Sequence, residues 1–336
     1  MVIENLFMRF IISLSFAFNF YLIAAQSTLA TTDSIVQNRW VDSVYNSLST
    51  KQKIGQLFMI QVFSEENNIN KSKLINIIKD YQVGGVIFSK GGPIRQANLN
   101  NELQRASKLP LMIAMDAEWG LNMRLDSTYA FPWNMTLGAI TDLNLIQKTG
   151  QRIGAHCKRL GVHLNFAPVV DINTNPKNPI IGNRSFGEDK QNVTDKALAF
   201  MQGLQSTGVM ASAKHFPGHG DTDKDSHKTL PTVNFSKKRI QNIETYPYKT
   251  LIENGLSSVM VAHLNVPALE PKEQYPSSLS DKIVRKFLKL KLNFKGLIFT
   301  DALDMKGVSN FTTPGAIDLQ AFKAGNDVLL LSLIHI

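Results

Sequence analysis

The chain has 336 residues, of which 43% are hydrophobic and 19% charged, a composition that is typical of a globular protein and excludes a disordered or fibrous one. Its formal net charge is +9, but its lysines and arginines are scattered, without a long basic run or a basic stripe interleaved with aromatic residues. The charge therefore gives little support to a nucleic-acid partner. Attraction to an anionic cell-wall polymer would explain the positive net charge equally well.

The single cysteine, Cys157, excludes an intrachain disulfide. Its helical context, RIGAHCKRLGV, indicates a small buried residue rather than a reactive thiol.

The first segment, MVIENLFMRFIISLSFAFNFYLIAAQS, predicts a cleaved secretory signal. Arg9 precedes an apolar run over 10–25 that ends in small residues. A membrane-spanning helix needs about 20 apolar residues, whereas a signal peptide has a shorter apolar core and a small-residue cleavage site. We therefore expect residues 1–25 to be removed, with cleavage near Ala25 or Ala30. The mature protein is then exported to the periplasm or the extracellular space without stable membrane insertion. A retained anchor is the alternative.

Short apolar runs bounded by glycine, proline or polar residues predict buried strands from residue 55 onward. In chain order, these runs span 55–63, 83–89, 109–116, 162–171, 209–216, 257–265, 295–301 and 327–332. Helical patterns lie between most of them, with apolar residues three to four positions apart, and two of these patterns end on glycine. The clearest helical patterns span 71–81, 145–161 and 193–208.

Eight strands that alternate with helices predict an α/β protein whose parallel sheet closes into a (β/α)8 TIM-type barrel. An open, doubly wound sheet is the alternative. The strand–helix turn in VGGVIFSKGGP disfavours it because this turn has neither GxGxxG nor GxxxxGK[ST]. The chain stops at DVLLLSLIHI, directly after the eighth run. We therefore expect a truncated chain that lacks the last helix of the barrel and is followed by further C-terminal sequence in the full product.

Polar side chains follow nearly every predicted strand. These strand-end residues are Asp116, Asp171, Lys214, His215, His263, Asn265 and Asp301. In a parallel barrel the carboxyl ends of the strands converge on one face, where barrel enzymes have their active sites. Contact with water explains one polar strand end, but so many on one rim favour a functional site.

The segment KHFPGHGDTDKDSH, at 214–227, has a composition that neither an amphipathic helix nor a half-buried strand shows. Such a loop binds a metal, transfers protons or is a solvated turn. As a metal site it offers the ligands His215, His219, Asp221, Asp225 and His227. Spacing alone leaves the three interpretations open.

Four further segments belong with this loop: AMDAEWGLNMR, NFAPVVDIN, NRSFGED and FTDALDMKGV. Together they resemble the N-terminal barrel of glycoside hydrolase family 3, above all its β-N-acetylglucosaminidase branch. The similarity runs from about residue 48 to residue 331, and the long loop motif is highly specific. The resemblance implies that 31–336 is a catalytic barrel. It also implies retaining hydrolysis of terminal, non-reducing β-linked N-acetylglucosamine from cell-wall-type or chitin-type oligosaccharides, through a covalent glycosyl–enzyme intermediate and without a cofactor.

The resemblance also implies roles for individual residues. Asp301 is the nucleophile and His227 the general acid/base, oriented by Asp225. Five residues match positions that hold the sugar hydroxyls and the acetamido group: Asp116, Arg124, Arg184, Lys214 and His215. Because the chemistry of the family needs no ion, no metal is expected, and His219 becomes a loop-shaping residue that hydrogen-bonds backbone.

Elementary chemistry agrees with several of these roles. Cleavage of a glycosidic bond needs a proton donor for the departing oxygen and a carboxylate on the opposite face of the sugar. The imidazole of His227 titrates near neutrality, and a hydrogen bond to Asp225 would fix its tautomer. Nearby cations such as Lys214 would favour the ionised form of Asp301.

Two alternatives to the hexosaminidase function remain. A β-glucosidase or β-xylosidase of the same family is disfavoured by the intact Asp-Ser-His triplet, because many of these enzymes take their acid/base from a second domain. A catalytically inactive sugar-binding module is disfavoured because Asp301 and His227 are both present. We further expect Asp171 to order the rim or an outer subsite, and Asp304 to order the loop after Asp301. Trp119 is suited either to stacking on a sugar face or to packing.

Overall fold

The computed structural model describes residues 34–65, 71–226 and 228–332. The chain divides into two compact units, Met1–Ser47 and Leu48–Ile336. The described part of the first unit is a helix, Ser34–Ser47. The predicted signal peptide lies outside the described residues. Within the described ranges, no helix combines the length and the apolar character that crossing a membrane requires.

Eight parallel strands form the centre of the second unit. They are β1 (Phe58–Phe63), β2 (Gly85–Lys90), β3 (Met112–Met115), β4 (Leu164–Asn165), β5 (Met210–Phe216), β6 (Ser258–Val261), β7 (Leu297–Thr300) and β8 (Leu329–Leu331). Each strand from β1 to β6 pairs with the next along the chain, and β8 pairs with β1. A parallel bridge between Phe299 and Val328 closes the ring, and the N–H of Thr300 donates to the carbonyl of Val328 at 3.0 Å. The structure is therefore the predicted (β/α)8 barrel and not an open sheet.

Helices of different lengths connect the strands. In the described part of the second unit they are Thr50–Gly55, Lys71–Tyr81, Pro93–Ala106, Asn134–Gly138, Leu143–Arg159, Lys190–Gln205, Lys237–Asn242, Tyr246–Glu253, the π-helix Lys282–Lys291, Lys306–Ser309 and Pro314–Ala324, with 3-10 turns at Leu121–Met123, Gly182–Arg184 and Ser277–Leu279. The three predicted helices are all present. Gly161 and Gly208 follow two of them with φ of +69° and +85°, the left-handed conformation that ends a helix and favours glycine.

The helices Leu143–Arg159 and Lys190–Gln205 pack closely against each other because glycines line their contact. A Cβ atom on Gly150 would lie 2.2 Å from the carbonyl oxygen of Phe200, so a larger residue would push the helices apart. The first of these helices also buries Cys157, and this burial raises the pKa of the thiol to about 12. The prediction of a small buried residue at this position is confirmed.

The inside of the barrel is filled with apolar side chains. They are Met59, Ile87, Ala114, Leu164, Phe166, Met260, Phe299 and Leu330. The rings of Phe166 and Phe299 meet edge to face, with centroids 5.2 Å apart. Neighbouring strand residues point outward and pack against the helices in a larger cluster. The barrel is therefore a packed core, and a site can form at its rim rather than in a central pore.

The fourth strand is much shorter than the predicted run over 162–171. Regular pairing covers only Leu164–Asn165, and the side chain of Asn165 then bonds the backbone N–H and carbonyl of Ala117, at 2.9 and 3.1 Å. Pro168 also lacks the N–H that a strand would donate. The rest of the run forms an irregular segment that leads to Asp171.

Candidate active site

The carboxyl ends of the strands surround a cavity of about 280 Å³. Six of the residues expected to act on the sugar line this cavity: Asp116, Arg124, Arg184, Lys214, His215 and Asp301. They come from different parts of the chain, and the parallel order of the strands brings them to one rim. The other two expected residues are Asp225, in the following loop, and His227, which lies outside the described residues.

A buried lysine connects two carboxylates at the end of β3. Nζ of Lys214 lies 2.7 Å from Oδ1 of Asp116 and 2.7 Å from Oε1 of Glu118. Lys214 is only 2% exposed, so these ion pairs are largely shielded from solvent. Arg124 holds the second oxygen of Asp116 through Nη2. Burial by itself raises the pKa of Asp116, but Lys214 and then Arg124 outweigh it and hold this pKa well below its usual range.

Glu118 forms the second half of this charged cluster. Its two oxygens accept hydrogen bonds from Nε and Nη2 of Arg184 at 2.9 and 2.7 Å, a bidentate pair. Burial raises the pKa of Glu118, but Arg184 and then Lys214 lower it to about 2. The carboxylate is therefore ionised at neutral pH, and it fixes both cations in the cavity wall.

Asp171 fixes the next part of the rim. It is 1% exposed and accepts hydrogen bonds from the backbone N–H of His219 at 2.7 Å and from that of His215 at 3.2 Å. Its Oδ2 also lies 2.7 Å from Nδ1 of His215, and the other ring nitrogen lies 3.3 Å from Nη2 of Arg184. Burial raises the pKa of Asp171, but His215 outweighs it and the pKa stays below its ordinary value. Because it is buried, Asp171 orders the rim rather than forming an outer subsite.

Asp301 directly follows β7, and the backbone holds it firmly. Its N–H donates to the carbonyl of Val261 at 2.8 Å, and its Oδ1 accepts from the N–H of Ala302 at 2.8 Å. His263 supports this turn from below, with Nε2 2.9 Å from the carbonyl oxygen of Ala302 and Nδ1 2.7 Å from Oγ of Ser278. His263 is fully buried. These contacts indicate a structural role for His263 rather than contact with a substrate.

Two polar atoms of the cavity residues have no hydrogen-bond partner among the described residues. They are Nε of Arg124 and Oδ1 of Asp304, both buried. A buried polar atom without a partner costs free energy, and a bound hydroxyl or amide group would satisfy it. We expected Asp304 to order its loop, but its Oδ1 makes no hydrogen bond to the described residues that would do so.

His219 shapes the loop after β5 through hydroxyl groups, and not through the backbone groups predicted. Its Nδ1 lies 2.6 Å from Oγ1 of Thr222, and its Nε2 lies 3.2 Å from Oγ of Ser226. Burial and then His215 lower the pKa of His219 to about 4, so the ring is neutral near pH 7. The loop approaches the preceding segment so closely that a Cβ on Gly220 would lie 2.0 Å from the carbonyl oxygen of Ile172.

The sequence places this site in a known family. Residues 49–334 match the model of the glycosyl hydrolase family 3 N terminal domain. The chain belongs to this family.

The chain is similar to known family 3 proteins both in sequence and in structure. Beta-hexosaminidase A of Pseudoalteromonas piscicida is 33% identical over 343 residues, which cover 95% of this chain and 56% of that protein. The beta-hexosaminidase of Nitrosomonas eutropha is 34% identical over 259 residues, which cover 74% of this chain and 73% of that protein. A family 3 beta-N-acetylglucosaminidase from Paenibacillus sp. has a TM-score of 0.79 at 38% identity, covering 85% of this chain and 55% of that one. The chain thus spans little more than half the length of the first and the last of these.

Sequence reasoning missed Glu118 in this family 3 site. The residue lies inside the quoted segment AMDAEWGLNMR, but it is not at the strand end. The available signal was its spacing from Asp116, because residues two apart in an extended segment project to the same side.

Two of the ligands proposed for a metal site in the loop, His215 and His219, make other contacts. Nδ1 of His215 bonds Asp171, and both ring nitrogens of His219 bond hydroxyls. Among the residues that the structure describes, no three His, Cys, Asp or Glu side chains form a group that could hold a metal ion. His227 is not among them.

Proposed function

We propose that the protein is a retaining glycoside hydrolase that releases terminal, non-reducing β-linked N-acetylglucosamine from oligosaccharides of the cell-wall or chitin type. The main support is the meeting of Asp301 with five sugar-binding candidates in one cavity at the carboxyl end of the barrel. Two relatives that are named beta-hexosaminidase and are at least 33% identical give further support.

In this proposal the reaction has two steps. The carboxylate of Asp301 attacks the anomeric carbon and displaces the glycosidic oxygen, which takes a proton from His227. Water then attacks the anomeric carbon of the glycosyl–enzyme intermediate and gives its proton to His227, and Asp301 leaves as a carboxylate. The hydrolysis restores both groups to their starting forms.

The binding groups follow from the chemistry of the cavity wall. Asp116 is ionised, so its oxygens can accept hydrogen bonds from sugar hydroxyls. Arg124 offers an Nε that has no hydrogen-bond partner in the described part of the chain, and Arg184 presents a planar group that Glu118 holds in place. Lys214 and Arg184 also provide positive charge in the cavity that Asp301 lines.

The acid/base assignment rests on the motif DSH at 225–227. Asp225 would accept a hydrogen bond from the ring of His227, fix its tautomer and stabilise its protonated form. Oδ2 of Asp225 lies 4.0 Å from Nζ of Lys228, at the limit of an ion pair. General acid/base assistance of this kind is worth about 10²- to 10⁴-fold in rate.

We place the activity outside the cytoplasm, in the periplasm or the extracellular space. This proposal rests on the predicted signal peptide at 1–25. Turnover of peptidoglycan or of a chitin-type polymer would supply suitable substrates there.

A panel of nitrophenyl glycosides tests the proposal. We expect preferential hydrolysis of the N-acetylglucosaminide, whereas preference for the glucoside or the xyloside would favour the other activities of family 3. Asp301→Ala should abolish turnover and leave binding of N-acetylglucosamine detectable by calorimetry. Turnover by this variant at the parent rate would show that the nucleophile is wrong.

The acid/base role has its own readout. His227→Ala should lose less activity on nitrophenyl glycosides than on an oligosaccharide, because a good leaving group needs little protonation. An equal loss on both substrates would contradict this role. If the parent protein binds N-acetylglucosamine but cleaves none of the glycosides, the sugar-binding module is the better description.

A further inference from the structure

Aromatic side chains cluster on the segment that links Glu118 to the helix Asn134–Gly138. We call this group the aromatic platform; it consists of Trp119, Tyr129, Phe131 and Trp133. The indole rings of Trp119 and Trp133 stack, with centroids 4.4 Å apart and planes inclined by 14°. The ring of Tyr129 meets Phe131 edge-on at 4.9 Å. A backbone hydrogen bond of 3.1 Å from Phe131 to Trp119 joins the two pairs.

The platform is open to solvent. Trp133 is 45% exposed and Tyr129 is 66% exposed. Large aromatic side chains gain most from burial, so leaving two of them in water forgoes stabilisation. Exposed apolar surface on a loop of the catalytic face is typical of a ligand-binding surface. Packing explains why the two tryptophans stack, but it leaves the open faces of Trp133 and Tyr129 without a function.

Two contacts place the platform beside the cavity. Glu118, which directly precedes Trp119, forms the bidentate pair with Arg184. Asn134, which directly follows Trp133, donates from Nδ2 to the carbonyl oxygen of Arg184 at 2.7 Å. Both tryptophans are therefore adjacent in sequence to residues that hold the same arginine, and this arginine lines the cavity.

The cavity is small for the proposed substrate. Its volume of about 280 Å³ lies below the range of roughly 300–1,000 Å³ that is usual for drug-sized ligands. It suits one sugar ring, and the rest of an oligosaccharide has to lie outside it. The C–H face of a pyranose ring is apolar and flat, so it is complementary to an exposed indole.

We infer that the aromatic platform binds the sugar units that extend from the cavity on the leaving-group side of the scissile bond. The ligand is a β-linked oligosaccharide, and this choice rests on the proposed function. A second copy of the chain or another protein is less suited to the platform, because its contacts with Arg184 place it beside the cavity that would hold the terminal sugar.

The tryptophan content of the chain allows a direct binding test. The sequence has three tryptophans, Trp40, Trp119 and Trp133, so Trp40→Phe leaves the stacked pair as the only indoles. Asp301→Ala is added to this protein so that the proposed activity does not consume the ligand. The double variant is titrated with the β-1,4-linked tetrasaccharide of N-acetylglucosamine and with the monosaccharide, and tryptophan fluorescence is recorded. We expect the tetrasaccharide to change the emission and to bind more tightly than the monosaccharide.

Variants in the Asp301→Ala background, titrated by calorimetry, then assign the effect to the platform. Trp133→Ala should lower the ratio of tetrasaccharide to monosaccharide affinity about 3- to 10-fold, the range of one aromatic contact. Trp133→Phe, which keeps an aromatic face, should recover most of the ratio. Trp40→Ala is the matched control, because Trp40 is 65% exposed and lies on the helix Ser34–Ser47. An equal ratio in Trp133→Ala and Trp40→Ala would overturn the inference.

The test separates this inference from the proposed function because binding needs no turnover. The titration is repeated with the β-1,4-linked tetrasaccharide of glucose. Platform-dependent binding of this sugar alone, with no hydrolysis of N-acetylglucosaminides, would support the platform and contradict the proposed function. If neither tetrasaccharide changes the emission of the protein that carries Trp40→Phe and Asp301→Ala, the platform inference is wrong even where the parent protein hydrolyses nitrophenyl N-acetylglucosaminide.

Discussion

Glu118 controls the positions of two cations in the cavity wall. It bonds Arg184 through both oxygens and shares Lys214 with Asp116. A buried charge is tolerated only while its partners remain in place, so these four residues depend on one another. Glu118 does not line the cavity, and it acts through Arg184 and Lys214.

The variant Glu118→Gln tests this dependence. We expect it to lower the free energy of unfolding by about 3 kcal/mol, because it removes the charge that balances the buried Lys214 and the partly buried Arg184. Displacement of Arg184 and Lys214 should also lower kcat/KM on the nitrophenyl N-acetylglucosaminide at least ~10-fold. Urea unfolding and steady-state kinetics measure the two effects.

Glu102→Gln is the matched control for this variant. Glu102 pairs with Lys71 at the surface, where both side chains are partly exposed. An exposed pair contributes at most about 1 kcal/mol, so we expect little change in stability or activity. Equal effects of the two variants would show that the buried cluster has no special role.

The same carboxylate predicts how stability depends on pH. The pKa of Glu118 is about 2 in the folded protein, below its ordinary value of 4.5. The unfolded state therefore binds more protons between these two values, and the contribution of Glu118 to stability is lost as the pH falls through this window. Urea unfolding from pH 5 to pH 2 should show a shallower loss for Glu118→Gln than for the parent. Parallel curves would contradict this expectation.

The site residues at the ends of strands were the easiest to predict from the sequence. Asp116, Lys214, His215 and Asp301 each follow or end an apolar run, and the parallel barrel brings such positions together. Glu118 was hidden because its importance comes from contacts with Arg184 and Lys214, which are distant in the chain. Those contacts depend on loop paths that an apolar pattern does not encode.

At the scale of elements, the order of strands and helices was predictable and their ends were not. Apolar runs identified all eight strands, because buried parallel strands are apolar on both faces. The run at 162–171 gave only a two-residue strand, since Asn165 and Pro168 break the ladder. The π-helix Lys282–Lys291 has an ordinary amphipathic sequence that does not distinguish it from an α-helix.

The helix Pro314–Ala324 offers a second prediction on pH. Burial raises the pKa of Asp318, which is half-buried on this helix, to about 6. The folded state thus binds more protons than the unfolded state between the ordinary value of 3.8 and about 6, and stability falls as the pH rises through this window. Asp318→Asn should therefore stabilise the protein at pH 7 by about 1 kcal/mol, a value reduced for solvent screening.

Thermal unfolding at two pH values checks this prediction. At pH 7 the variant should have the higher Tm, and at pH 4, where the parent carboxyl is protonated when folded, the gain should largely vanish. A gain of equal size at both pH values would mean that the effect does not come from the charge of Asp318.

At the scale of the whole molecule, closure of the barrel supports the site. The bridge from Phe299 to Val328 completes the ring, and the ring pair of Phe166 and Phe299 fills its interior. The rim residues therefore stand on a rigid base, and their loops can differ without changes to the core.

Cys157 gives a simple probe of this core. It is the only cysteine, it is fully buried, and its thiol pKa is about 12. A thiol reagent at pH 8 should leave the native protein unlabelled, because reaction needs an accessible thiolate. In a urea series, labelling should begin where circular dichroism reports unfolding. Fast labelling of the native protein would indicate local opening of the helix Leu143–Arg159.

Lys214 and His215 are neighbours in sequence, yet they engage different carboxylates. Lys214 pairs with Asp116 and Glu118 after β3, and His215 pairs with Asp171 after β4. Replacing any one member leaves its partners without a balancing charge. The effects of substitutions here will therefore be strongly non-additive. Evolution toward a different sugar would then require several simultaneous changes at this wall. Single mutations can alter specificity more readily at rim residues that do not belong to this network.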